Sequence, residues 1–163
     1  MKARLLLLAL IPGLAFAVPV SPGTAANPHP LQLQSAAGPS SGQAQVPAYH
    51  AGPPKDALPE TLDPARFSDP STRNTYAMAA RVKKILYQQP CYCFCDRNEG
   101  HKSLLDCFVG NHASVCGVCK KEAIYAYEQS RRGKTAAQIR AGIIKGAWYG
   151  IDLSKYESPL SPK

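Results

Sequence analysis

All six cysteines of the chain fall within residues 91–119. The run Cys91-Tyr92-Cys93-Phe94-Cys95 sets three thiols at i, i+2 and i+4. If extended, it points the three sulfurs to one side and the aromatics to the other. If curled, it closes the three on one point. A bridge between neighbours in C-x-C is strained, because disulfide geometry restricts the dihedral and the Cβ separation. Downstream, Cys116-Gly117-Val118-Cys119 is a C-x-x-C at the start of an expected helix. Free amides and the helix dipole favour a thiolate there, the form that binds metals and attacks disulfides. Cys107 lies between the two clusters, and His101 and His112 bracket it as candidate nitrogen donors.

Three chemistries compete for this pattern. The preferred one is a soft-metal site, copper or zinc, built from Cys91, Cys93, Cys95, Cys107, Cys116 and Cys119 with His101 and His112, since thiolates suit such ions. Cys91, Cys93 and Cys95 form one arm, Cys116 and Cys119 the other, and Cys107 with one histidine completes the shell. The second is a thiol–disulfide redox protein, in which Cys95 or the Cys116/Cys119 pair attacks and a neighbouring thiol resolves. The third is an interaction module stapled by disulfides, the common use of an even cysteine count in small exported domains. For the histidines, a ring bonded to backbone or water is the plain alternative. Asp96, Glu99 and Asp106 read either as acceptors for histidine N–H groups or as turn formers. The implied partners are the metal ion itself and an exported redox or metal-handling protein.

The elements that must position these groups lie in residues 72–163, with 15 basic and 7 acidic residues. The expected fold is mainly α, a small three-helix domain with an irregular Cys-rich loop, preceded by a disordered Pro-rich leader. Residues 76–87 place Met78, Val82, Ile85 and Leu86 on one apolar face, and Pro90 closes that helix. A second helix over about 114–131 carries Cys116, Cys119, Ala123 and Tyr127 on one side, with Gly133 to stop it. Thr135-Ala136-Ala137-Gln138 has capping-box spacing and opens a third, with Ile139 and Ile143 inward and an end near Gly146. Trp148 and Tyr149 read as a cap on the core.

Ahead of that domain, residues 1–17 read as a cleavable signal peptide: a short basic start, about 13 apolar residues, and Ala15-Phe16-Ala17 at the cut. The run is shorter than the roughly 20 residues that span a bilayer, so the mature chain is expected to have no transmembrane segment. No cysteine sits at the cut, so the expected location is periplasmic or extracellular without a lipid anchor. Residues 18–71 hold eleven of the fifteen prolines and show no sustained apolar period, the mark of a disordered leader. The formal charge of +8 resides beyond it. Lys120, Lys121, Arg131, Arg132 and Lys134 read as a solvated helix face, and no nucleic-acid motif appears. Ser-His-Asp order, a phosphate loop and HExxH are missing too.

The ordered run Pro90-Cys91-Tyr92-Cys93-Phe94-Cys95, Gly100-His101-Lys102-Ser103, Asp106-Cys107-Phe108-Val109, His112-Ala113 and Cys116-x-x-Cys119 resembles the bacterial PCYCGC-motif family over residues 76–144. The resemblance implies export, often as a lipoprotein, and a reactive chalcogen at Cys95, since some relatives carry selenocysteine at that position. Two departures stand out. Phe94 replaces the glycine of the motif, making the loop less permissive, and the lipobox cysteine is missing.

Overall fold

The computed structural model describes residues 45–158 and 160, so the expected signal peptide and the first half of the leader lie outside the described residues. Among those described, there are seven α-helices and no strands: α1 (Pro70–Arg81), α2 (Lys83–Leu86), α3 (Cys95–Asn98), α4 (Asp106–Val109), α5 (His112–Val115), α6 (Gly117–Arg131) and α7 (Ala136–Ile144). The three long ones correspond to the three expected from sequence; the other four are single turns. None of them is long and apolar enough to cross a membrane.

α1 begins six residues before the expected start. Asp69 caps it by accepting from the Thr72 N–H at 2.7 Å, and Pro70 occupies the first turn, where its missing donor costs nothing. The apolar face was visible in the sequence, but this cap lay inside the proline-rich stretch and read as leader. The helix then breaks at Val82 (φ −128°, ψ 29°) before the single turn of α2. α6 ends with Gly133 at φ +78°, where the Gly133 and Lys134 N–H groups donate to Ser130 and Gln129, the paired bonds of a Schellman motif. α7 opens with the expected capping box between Thr135 and Gln138. Gly146, at φ +75°, repeats the Schellman ending.

α1 packs on α6, and α7 lies along α6. Their shared core takes Tyr76, Met78 and Ala79 from α1, Ala123, Ile124 and Tyr127 from α6, and Ile139 and Ile143 from α7. Leu86, Leu104, Leu105 and Phe108 extend it towards the cysteines. Trp148 is buried and donates its ring N–H to the Ile143 carbonyl at 3.2 Å. Tyr149 is exposed and stacks on Trp148 from outside, so only the first of these two residues closes the core.

Residues 45–71 belong to the stretch expected from sequence as leader. They carry little regular structure, yet they pack. His50 stacks on Tyr87 with ring centroids 3.8 Å apart, the Leu62 N–H donates to the Phe108 carbonyl, and Phe67 lies against Tyr76. Leu58, Leu62 and Phe67 all touch the core. Proline content hid these scattered anchors, because they recur with neither a helical nor a strand period. Phe67→Ala is therefore expected to lower unfolding stability by about 1–2 kcal/mol, below the cost of a fully buried phenylalanine. A urea midpoint unchanged by the substitution would show that this segment contributes no packing.

Candidate metal centre

Short elements gather the thiols. Beyond α2 comes Gln89, a buried residue whose side-chain amide donates to the Ile85 and Ala136 carbonyls, while its backbone carbonyl accepts from the Leu104 N–H. Pro90 then turns the chain inward. The Phe94 N–H donates to the Cys91 carbonyl at 3.1 Å, and Phe94 itself is left-handed at φ +59°. The C-x-C-x-C segment is thus curled, and of the two geometries open to it the extended one is not adopted. Cys95 starts α3, Cys107 sits in α4, His112 starts α5, and Cys116 and Cys119 stand at the head of α6.

The sulfurs meet. Cys91 Sγ lies 3.3 Å from Cys93 Sγ and 3.4 Å from Cys119 Sγ, and Cys93 and Cys119 are 3.5 Å apart. Cys95 and Cys107 are 3.4 Å apart. Three four-donor sets each have all their ligand atoms within 4.8 Å of one another: Cys91, Cys93, Cys107 and Cys119; Cys93, Cys95, Cys107 and His112; Cys93, His112, Cys116 and Cys119. His112 turns Nε2 to Cys93 at 3.5 Å and Nδ1 towards a Glu99 oxygen at 3.6 Å. His101 belongs to none of the three sets, although its Nδ1 is 3.3 Å from Cys107 Sγ. Cys116 has a second task, since its sulfur accepts from the Cys119 N–H at 3.5 Å and caps α6.

Of the three nearby carboxylates, only Glu99 faces a histidine. Asp106 accepts from the Lys102 and Ser103 N–H groups and shapes the turn into α4. Asp96 accepts from the Ala48 N–H at 3.0 Å, which ties residues 47 and 48 over the side of the cluster formed by Cys91, Cys95 and His101.

Thiol beside thiol polarises the group. The neighbouring thiols of Cys107, Cys116, Cys119 and Cys91 push the pKa of Cys93 down. The Cys119 thiol is pushed up by the same neighbours, Cys107 first, and by burial.

Reasoning from sequence missed Glu122. It lies three residues after Cys119 and is fully buried. One oxygen accepts from the Tyr92 N–H at 2.9 Å, while the other has no hydrogen-bond partner among the described residues. Burial pushes its pKa up to about 8, against the opposing pull of the Tyr92 N–H and the Cys91 thiol. The available signal was its place on the inward side of α6, beside Cys119 and Ala123. A charged residue type argues against burial, which is why the signal went unread.

With this geometry established, the comparisons fall into place. A family model described as "Protein of unknown function with PCYCGC motif" matches residues 40–150, most of the chain. The chain belongs to that family. No curated protein and no solved structure matches it. The family motif, laid on residues 90–95, has glycine where this chain has Phe94. The φ of +59° accounts for that glycine, since the left-handed turn that curls the thiols together is open to glycine without steric cost. Here the strain is offset by contacts: the Phe94 ring meets Tyr92 edge-on and carries the Arg97 guanidinium 4.2 Å above its centroid.

The buried carboxyl makes a testable pH dependence. The folded-state pKa of Glu122 lies above its ordinary 4.5, so its contribution favours folding below about pH 4.5 and is lost as pH rises to about 8. In the metal-free protein this amounts to a few kcal/mol, at about 1.4 kcal/mol per pH unit. Glu122→Gln, keeping the acceptor for Tyr92, is expected to flatten the slope of stability between those pH values. An identical slope in both proteins would remove Glu122 as its source.

Proposed function

We propose that this domain is an exported protein that captures a soft d-block ion, copper or zinc, through clustered thiolates. The observation that carries the reading is the set Cys91, Cys93, Cys107 and Cys119, three of them buried and Cys93 half-buried, with all four sulfurs within 4.8 Å of one another. A Zn–S bond of about 2.3 Å requires a tetrahedral sulfur edge of about 3.8 Å. The closest pairs, at 3.3–3.5 Å, need to part by only a few tenths of an ångström to admit an ion. The four sulfurs arrive from three separate segments, so binding one ion ties them together and adds to the stability of a small domain. A metal-handling protein of the same compartment is the natural donor or acceptor of the ion.

One observation favours thiol–disulfide exchange instead: the C-x-x-C at the head of α6, with the Cys119 N–H donating to Cys116 sulfur. Against it, Cys119 and Cys95 are buried, and an exchanging thiol needs access to its substrate. A redox titration with thiol trapping separates the two, since only the exchange reading requires one pair poised near the potentials of exchange enzymes.

Anaerobic purification of the full chain followed by elemental analysis is expected to find bound copper or zinc. Uptake by the metal-free protein should raise its melting temperature. Cys119→Ser should weaken affinity by more than about a hundredfold, beyond what loss of an outer-shell partner costs. A protein without stoichiometric metal that takes up neither Cu(I), Zn(II) nor Hg(II) would sink this function.

A further inference from the structure

The three four-donor sets overlap, and Cys93 is common to all of them. Together they contain all six cysteines and His112, more donors than one ion can use. Which pairs of sets can be filled at once depends on the donor they share. A thiolate sulfur has lone pairs enough to bridge two ions, whereas an imidazole nitrogen has one and cannot. The second and third sets share Cys93 and His112, which excludes that pair. The first and second share two sulfurs, Cys93 and Cys107. The first and third also share two sulfurs, Cys93 and Cys119, but leave Cys95 idle.

Resting on the metal-binding reading above, we propose that the pocket holds two ions joined by the thiolates of Cys93 and Cys107. Cys91 and Cys119 complete the shell of one ion, Cys95 and His112 that of the other. The arrangement uses the C-x-C-x-C curl as a symmetric device, with one outer thiol on each ion and the middle thiol between them. It leaves Cys116 to its task of capping α6. Glu99 beside Nδ1 holds the His112 ring so that Nε2 faces Cys93, the orientation an outer carboxylate gives a metal-bound histidine.

Charge balance favours the pair over a single ion in the first set. One divalent ion on the four thiolates of the first set leaves two negative charges in a buried pocket. Two such ions on five thiolates and a neutral imidazole leave one, and a buried uncompensated charge is costly. The step is an exchange of protons for metal: two Zn2+ enter, five thiol S–H bonds are lost, and the five protons pass to solvent. No oxidation or reduction takes place.

Zn(II) titration of the reduced, metal-free full chain, read by native mass and by protons released, tests this directly. The expected plateau is two zinc ions and about five protons per chain. Cys93→Ser and Cys107→Ser should each fall to one ion at most, while Cys116→Ser should still hold two. A wild-type plateau at one ion would overturn the paired centre and leave the metal-binding function standing, and no zinc at all would remove both. Loss of the second ion in Cys116→Ser, with retention in Cys95→Ser, would overturn the assigned bridge.

Discussion

Bringing six thiols into one small region is the constraint around which this domain is built. Cys91, Cys93, Cys95, Cys107 and Cys119 each have another sulfur within about 3.5 Å, and with the thiols unbridged, protons or a cation must keep such a group from accumulating charge. With protons, the thiols form a web of weak S–H contacts. With a soft cation, the same sulfurs become a ligand shell and the negative charge is matched where it arises. Both states use one geometry. The difference is what fills its centre.

The surrounding elements make sense as supports for that region. The α6 helix gives Cys119 a rigid mount, and its own first turn is capped by Cys116. Its inward side also carries Glu122, whose oxygen holds the Tyr92 N–H and so fixes the curl from behind. Gln89 ties the entry of the curl to both α7 and the segment leading into α4. Single-turn helices deliver Cys95, Cys107 and His112, where longer ones would have carried the side chains past one another. Residues 47 and 48, held to Asp96, cover the remaining side.

Much of this was written plainly in the sequence. Periodicity found the three long helices because their buried faces are apolar and regular, and Thr135 with Gln138 announced the start of α7. The start of α1 escaped because Asp69-Pro70, a cap followed by a first-turn proline, sits amid prolines that do no such work. Residues 45–71 escaped for a related reason: His50, Leu62 and Phe67 anchor singly, and single anchors leave no period. At the site, residue types identified the thiols and His112, but spacing left open whether the motif runs extended or curled. The left-handed turn at Phe94 decides that, and an aromatic residue conceals a conformation that the family's glycine would have advertised. Glu122 was hidden by its own charge.

The family's glycine and this chain's phenylalanine therefore describe one backbone reached in two ways. Glycine enters the left-handed region freely, while phenylalanine is held there by Tyr92 and Arg97. What has to be preserved is the turn, because it sets the middle thiol between its neighbours and brings Cys91 and Cys93 against Cys119 of α6. The central claim is that these sulfurs make the first shell of a metal centre. X-ray absorption at the metal edge of the anaerobically loaded protein tests it most directly. The account predicts a shell dominated by sulfur at about 2.3 Å with a minor nitrogen contribution. A shell of oxygen and nitrogen alone would contradict it.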